Sequence, residues 1–349
     1  MQRPKSRVKQ TVTMREVAAR AGVSVGTVSH ILNKTTPVKE DLKRRVLAAI
    51  RELGYQPSSL ARDFRRSQTN LLGMIIPDIT NPFFPAVVRG AEDIAYQNSY
   101  RLVLCNTDND PRKEAQYLQE MRAHRVPGVV LIPSENSQID AMADADLCGA
   151  AMICLDRKPE HWEGDSVTAD NMTGASGATS HLLGLGHRSI AMIVGSLHLT
   201  NARERMEGFR HEMRRAKVEI APGYIQEGQF SRLSGYEKMQ VLLDLRPRPT
   251  AIFAGDDLIA FGALAAIREA GLKCPQDISI IGFDNLEISD LSDPPLTTVS
   301  QPGYQMGARG VDLLLRRLRE PRSKPQNIVL ETELKVRQSV APLRRTKGG

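Results

Sequence analysis

The stretch that most constrains this chain is residues 13–33, TMREVAARAGVSVGTVSHILN. It divides into two short segments with helical periodicity. Val17, Ala18 and Ala21 fall on one face of the first, and Val28, Ile31 and Leu32 on one face of the second, the i, i+3, i+4 spacing of amphipathic helices. Gly22 stands where the first helix must stop, because glycine adopts the left-handed backbone such an end needs. Thr13 and Glu16 have the spacing of a capping box, and Ser24 is placed to cap the second helix. A further stripe, Leu42, Val46, Ile50 and Leu53, marks a helix over residues 39–53 that ends at Gly54. Two helices this short cannot bury their stripes alone, so the third closes a core over them. A helix-turn-helix of this kind offers the polar side chains of its second helix to the DNA major groove. A helical hairpin at the edge of a larger domain would show the same stripes.

Charge separates the two readings. The 349 residues carry a net +7, but residues 1–70 hold 15 Lys and Arg against 5 Asp and Glu, a surplus of 10. The remaining 32 basic and 35 acidic residues leave the rest of the chain at −3. The basic charge therefore belongs to the module with the helix-turn-helix, which is the electrostatic footprint of nucleic-acid binding. A merely solubilising tail would explain residues 1–10 but not Lys43, Arg44, Arg45, Arg62, Arg65 and Arg66.

The segment from Thr13 through YQPSSLAR resembles the DNA-binding headpiece of the lactose-repressor/galactose-repressor family of bacterial transcription regulators. The pattern AGVSxxTVSxxLN carries the resemblance and is nearly diagnostic; the similarity runs on to about Val340.

From Leu71 onward the pattern changes. Apolar, β-branched runs (LLGMII, RLVLC, GVVLI, AAMICL, then IAMIV, YIQEG, AIFA, ISIIGF) alternate with helical stretches. Such alternation means βαβ units and parallel sheets covered on both faces. Two series imply two doubly wound lobes, with a break at residues 170–177. The expected fold is thus α/β: an all-α helix-turn-helix headpiece plus two parallel-sheet lobes of the periplasmic sugar-binding-protein type. The expected organisation is a disordered basic arm (1–12), a headpiece (13–56), a hinge-helix linker (57–70), a core (71–340) and a tail (341–349). By resemblance the lobes exchange segments, lobe one taking residues 71–171 and 300–327, lobe two 172–299 and 328–340. The segment from Thr298 to Arg319 would return to the first lobe. No leucine heptad closes the chain, so a homodimer is expected rather than a tetramer.

Readout of bases needs side chains on the first turns of the second helix, here Val25, Gly26, Thr27, Ser29 and His30. The resemblance assigns specificity to Val25, Gly26 and His30; His30 is similar to the choice of purine-responsive members. Gly26 departs from the usual polar residue. Thr27 and Ser29 are expected on phosphates, which position a protein without reading sequence. Lys39 stands where the family has a serine cap, a loss on the order of 1 kcal/mol. In the linker, the family's minor-groove leucine is replaced by Phe64, an apolar wedge that still unstacks base steps, flanked by Arg62 and Arg65 for phosphate or groove contacts.

In doubly wound sheets ligands bind beyond the carboxyl ends of the strands. The residues there include Asp78, the DITNPFF segment with Phe84, residues 106–108, Asp156, Phe230, Asp256, Asp257 and Asp284. Carboxylates accept hydroxyl hydrogens, aromatic faces cover C–H surfaces, and Arg205 adds a bidentate donor. That set suits a sugar or sugar derivative. The resemblance matches Arg205, Asp256 and Asp284 to effector contacts and lines the same cleft with Phe84, Asp156, Phe230 and Gln301. Many sugar-binding members have Asn where this chain has Asp256, so the ligand must supply donors there. Asp257 is expected to cap the helix that follows it, and His187 to be structural.

Other classes find little support. Cys105, Cys148, Cys154 and Cys274 show no C-x-x-C spacing, and no metal site or cofactor is expected. There is no G-x-S-x-G, no G-x-G-x-x-G after a strand and no P-loop, so no catalytic residues are assigned. No run approaches the roughly 18 apolar residues of a membrane span, and no apolar run follows the basic first ten residues as in a signal peptide. The expected partners are operator DNA, a small-molecule effector and a second copy of the chain, in the cytoplasm.

Overall fold

The computed structural model describes residues 12–33, 38–55, 69–137, 139 and 150–343. The chain forms two compact units, residues 1–68 and 69–349.

In the first unit, α1 (Met14–Ala21), α2 (Val25–Asn33) and α3 (Glu40–Leu53) enclose Val17, Ala18, Ala21, Val28, Val46, Ala49 and Tyr55. The capping box forms in both directions: Thr13 Oγ1 accepts from the Glu16 amide at 3.3 Å, and the Thr13 amide donates to Glu16 Oε2 at 2.6 Å. Gly22 has φ +65°, where a side chain would be strained, and Arg45 of α3 donates to the Ala21 carbonyl at 2.6 Å. An orphan carbonyl at the end of α1 is thereby satisfied by the helix that closes the core. Lys39 gives α3 no side-chain cap; Glu40 and Asp41 occupy its first turn instead, where negative charge suits the helix dipole.

The second unit opens with β1 (Leu71–Ile76), α4 (Phe83–Gln97), β2 (Arg101–Asn106), α5 (Pro111–Ala123), β3 (Gly128–Leu131), β4 (Ala151–Asp156) and β5 (Asp165–Ala169). It continues with α6 (Asn171–Gly184), β6 (Ile190–Val194), α7 (Thr200–Arg215), β7 (Ile225–Glu227), α8 (Arg232–Asp244), β8 (Ala251–Ala254), α9 (Asp257–Glu269), β9 (Ser279–Asp284) and β10 (Thr297–Ser300). It ends with α10 (Gly303–Arg319), β11 (Asn327–Leu330) and β12 (Glu333–Lys335). One sheet has the order β11-β5-β4-β3-β1-β2 and is parallel throughout. The other has the order β12-β10-β9-β8-β6-β7, parallel except for β12 against β10. The central strands are buried on both faces, as helices on each side require. α4 and α10 pack at backbone distance, since a Cβ on Gly90 would lie 1.9 Å from the Tyr304 carbonyl oxygen and one on Gly307 the same distance from that of Val87. The edge strand β2 is the exception to burial, with Val103 and Leu104 exposed and Cys105 half-buried.

The chain passes between the sheets three times, after β5, after β10 and after β11. The expected exchange needs two corrections. Residues 328–330 lie in the first sheet, paired parallel with β5, rather than with the second lobe. Ile328 and Leu330 pack against the first core while Val329 faces out; a four-residue strand offers too short a pattern to name its sheet. Thr298 to Ser300 stay in the second sheet, and only α10 of the returning segment joins the first lobe. The crossings are stitched together: the Asp170 amide donates to the Leu330 carbonyl at 2.8 Å, and Thr332 Oγ1 to the Asp170 carbonyl at 3.2 Å. His187 is buried between Thr250 Oγ1 (2.9 Å) and the Ala341 carbonyl (3.0 Å), a brace for the C-terminal segment.

Candidate nucleic-acid interface and ligand cleft

α2 begins one residue after Ser24, whose Oγ accepts from the Thr27 amide at 3.1 Å. This cap sorts the candidate readers. Val28 is fully buried, so Val25, Gly26 and His30 point away from the core and are exposed, while Thr27 and Ser29 are half-buried. The Thr27 hydroxyl lies 2.9 Å from that of Ser24, so it serves the helix start. Among the described residues a Cβ on Gly26 would meet only Ser24 Oγ, at 3.6 Å, so none of them demands glycine there. Arg62, Phe64 and Arg65, with the expected wedge, lie outside the described residues.

In the second unit, a cavity of about 200 Å³ lies between the lobes. Each contributor sits beyond a strand end or on the helix that follows. Phe84 comes from the start of α4 and Asp156 from the end of β4. Arg205 comes from α7, and Phe230 from the loop after β7. Asp256 follows β8, Asp284 ends β9, and Gln301 stands on the second crossing. All seven ligand candidates thus line one cavity. Asn81, Phe83, Arg157 and Asn201 join them. Sequence reasoning missed Arg157 and Asn201, although the signals were present: Arg157 adjoins Asp156, and Asn201 precedes Arg205 by four residues, one turn on the same helix face.

Arg205 organises the floor. It is 2% exposed, with Nε donating to Asn171 Oδ1 at 2.9 Å and Nη1 to the Gly255 carbonyl at 2.6 Å. Its guanidinium lies 3.8 Å from the centre of the Phe283 ring and 5.6 Å from that of Phe230, within cation–π range. Asp284 Oδ1 is 3.7 Å from Arg205 Nη1 and accepts from Gln301 Nε2 at 2.6 Å. Across the cleft, Asp156 Oδ2 accepts from Asn201 Nδ2 at 3.0 Å, and Thr200 Oγ1 donates to the Lys158 carbonyl at 3.1 Å. Both bonds join one lobe to the other. Asp156 (φ +63°) and Asp284 (φ +111°) hold backbone conformations that residues with side chains rarely adopt. Such strain clusters at functional sites.

Asp256 corrects an expectation. It, and not Asp257, caps α9, with Oδ1 accepting from the Ile259 amide at 2.7 Å. Asp257 is fully buried and accepts from the Leu286 amide (2.9 Å), the Ser289 hydroxyl and Thr298 Oγ1, tying α9 to the segment after β9 and to β10. Asp256 Oδ2 and Gln301 Oε1, both lining the cavity, are buried without any hydrogen-bond partner. Burial pushes Asp256 up to about 7, with Arg205 opposing the rise and Asp257 adding to it. Burial raises Asp284 well above the usual carboxylate range against the pull of Arg205, and raises Asp156 against Arg157 and Arg205. Charged groups buried at this depth carry large desolvation costs unless paired. The cavity is thus short of hydrogen-bond donors. Among the described residues no His/Cys/Asp/Glu group could hold a metal ion, and no helix is long and apolar enough to cross a membrane.

An exposed helix-turn-helix and a two-lobed cleft on one chain define a ligand-responsive DNA-binding protein. Comparison with known proteins agrees. Residues 13–58 match the model of bacterial regulatory proteins of the lacI family, and residues 179–340 that of a periplasmic binding protein-like domain. The chain is 38% identical over 327 residues to the ribose operon repressor of Escherichia coli (strain K12), covering 94% of this chain and 99% of that one. It is 37% identical over 331 residues to the HTH-type transcriptional repressor PurR of Histophilus somni (strain 129Pt), covering 95% and 99%. A structure of the lac repressor dimer bound to operator and the anti-inducer ONPF superposes with a TM-score of 0.85 at 28% identity, covering 95% of this chain and all of that one. The chain belongs to the lacI family of bacterial regulatory proteins. It is a DNA-binding transcription regulator that answers to a small molecule.

Proposed function

We propose that this regulator is a repressor that binds a palindromic operator as a dimer, and that its effector is a neutral, hydroxyl-rich monosaccharide held in the inter-lobe cleft. The observation that carries the effector class is the pair of buried, unpartnered acceptors, Asp256 Oδ2 and Gln301 Oε1. Both want hydrogen-bond donors, which sugar hydroxyls supply. A purine base offers fewer donors, its N–H groups, beside ring nitrogens and carbonyl oxygens that only accept. Size agrees: about 200 Å³ is below the roughly 300–1,000 Å³ of pockets for drug-sized ligands, so one sugar ring fits better than two. Phe84 and Phe230 supply apolar faces for the C–H surfaces, and Arg205 with Asp156, Asp256, Asp284 and Gln301 the polar edge. The relatives include both a ribose operon repressor and PurR, so a purine effector is the reading to test against.

On the DNA side, Val25, Gly26 and His30 would face the bases, Phe64 of the linker would wedge into the minor groove, and Arg62 and Arg65 would bind phosphates or the groove. The cleft performs no chemistry; it is a sensor. Effector that prefers one arrangement of the lobes shifts operator affinity through linkage, typically by about 1–3 kcal/mol. A protein with this role works in the cytoplasm.

The test is thermal denaturation of the full chain with pentoses, hexoses, polyols, nucleosides and purine bases. A ligand at 100 times its Kd stabilises by about 2.7 kcal/mol. A monosaccharide hit lost in Asp284→Ala supports the proposal. A hit confined to purine bases overturns the effector class.

A further inference from the structure

At the rim of the effector cavity, one short stretch of lobe two meets lobe one repeatedly. Residues 196–201 run from the loop after β6 into the first turn of α7. Ser196 Oγ donates to Glu135 Oε1, in the loop after β3. Thr200 Oγ1 donates to the Lys158 carbonyl at 3.1 Å and accepts from the Lys158 amide at 3.3 Å. Asn201 Nδ2 donates to Asp156 Oδ2 at 3.0 Å. Asp156 and Asn201 line the effector cavity, whereas Glu135, Ser196, Lys158 and Thr200 do not.

Both halves of this contact are shaped by their own lobe. In lobe one, Asn109 Oδ1 accepts from the Glu135 amide at 2.8 Å, and Asn109 Nδ2 donates to Glu135 Oε2 at 3.4 Å. The same loop is anchored on buried Glu114 of α5, which accepts from the Ser134 amide at 2.6 Å and from the Ser137 hydroxyl. The Arg157 guanidinium faces Asp156, Glu114 and Glu135 and offsets their charge. In lobe two, the Leu197 amide donates to Glu227 Oε1 at 2.8 Å, and Arg203 Nη1 donates to the Leu197 and His198 carbonyls at 2.9 and 3.1 Å. Groups already held in place lose little further freedom when they meet. A hydroxyl that donates to a carboxylate also makes one of the stronger hydrogen bonds.

We infer that residues 196–201 are a clasp that keeps the two lobes together while no effector is bound. Glu135 and Ser196 are its positioning residues: they hold the walls of the cleft without lining it. Thr200 and Lys158 close the same rim. The effector therefore enters a cleft already near its closed form, and the cost of bringing the lobes together is borne by contacts within the protein. A ligand shifts a two-state equilibrium only by its differential affinity for the two states. The strength of the clasp thus sets how far an effector can move the lobes. A clasp of this kind serves a sugar and any other effector alike, so it does not rest on the monosaccharide reading.

Amide hydrogen exchange of the unliganded full chain, followed by mass spectrometry, tests the clasp without any ligand. The Lys158 amide is the reporter, because its hydrogen-bond acceptor, Thr200 Oγ1, belongs to the opposite lobe. In Ser196→Ala, exchange in a peptide spanning residues 156–160 should quicken at least fivefold, while peptides of β6 and β8 keep the parent rate. Ser196→Thr retains a hydroxyl and should return the 156–160 peptide to the parent rate. Parent-like exchange at residues 156–160 in Ser196→Ala overturns the clasp. Faster exchange across β6 and β8 as well also overturns it, because Ser196 would then support the fold of the second lobe rather than the contact between lobes. Equal quickening in Ser196→Thr and Ser196→Ala overturns it too, since the hydroxyl would not be the group that matters.

Discussion

On α2 the side chains proposed to read bases stand in solvent, whereas those proposed to meet the effector, apart from half-buried Phe230, are buried almost completely. Val25 is 41% exposed and His30 lies on the same open face; Arg205 is 2% exposed and Asp256 1%. The headpiece therefore carries its readout at little cost to folding, because exposed polar groups keep their water. The cleft concentrates three carboxylates and two guanidinium groups where water is scarce, and buried charge of that kind destabilises unless matched. The headpiece is built to be edited one residue at a time, and the cleft is not. Function and stability separate on the first surface and are bound together on the second.

The strongest way to break this contrast is Arg205→Ala. It strands the Asn171 amide oxygen, the Gly255 carbonyl and Asp284, so stability should fall by about 3–5 kcal/mol, as when one partner of a buried pair is removed. Chemical denaturation of the second unit measures this, and effector binding should be lost with it. A variant with unchanged stability would show that the cleft does not rely on Arg205 for its fold.

Next in size is His30→Ala. Losing one base contact should weaken operator binding by about 1–3 kcal/mol, while effector affinity stays unchanged. Gel shift on operator and on random DNA checks it. An equal loss on both DNAs would move His30 from base readout to phosphate contact.

Asp256→Asn sharpens the contrast through pH. In the folded, unliganded protein Asp256 keeps its proton up to about 7, well above its value in an unfolded chain. Its contribution to stability is therefore present at low pH and is lost as pH rises toward 7. Effector binding has the opposite sign, because hydroxyl donors prefer the ionised carboxylate. Effector affinity should rise several-fold as pH increases through about 7 in the parent, and the step should shrink in Asp256→Asn, leaving only what Asp284 and Asp156 contribute. Titrations between pH 6 and 8 read this directly. A falling affinity over that range would mean that the ligand accepts, rather than donates, at Asp256.

The smallest effect belongs to Gly26→Ala. Space exists for a Cβ, and alanine in place of glycine in a helix is worth up to about 1 kcal/mol. The headpiece should become slightly more stable while its operator preference changes. A loss of stability would show that glycine is needed for folding after all.

Most of the headpiece was legible because its signals are local. The capping box, Gly22 and the stripe of Val17, Ala18 and Ala21 act within a few residues of one another, and the absence of a side-chain cap at Lys39 is local too. Phe84, Asp156, Phe230, Asp256 and Asp284 were legible for a different reason, that parallel sheets place ligands beyond strand ends, whereas Gln301 was reached only through the family resemblance. Local pattern failed where a neighbour decided. Asp256 and Asp257 are adjacent carboxylates after a strand, and only the packing of β9 and β10 assigns the cap to the first and the buried knot to the second. Arg157 reads as a surface arginine until it is seen to be 5% exposed, with Nε donating to the Pro133 carbonyl.

The sequence by itself determined the helix-turn-helix, its capping, the alternation that makes two parallel sheets, and the identity of the polar groups available to a ligand. These follow from periodicity, backbone preference and charge, all short-range. Only the tertiary structure decided which sheet β11 joins and which acceptors in the cleft remain unpaired. Those depend on segments far apart in sequence meeting at the crossings, and on burial, which turns ordinary aspartates and arginines into groups that need a partner.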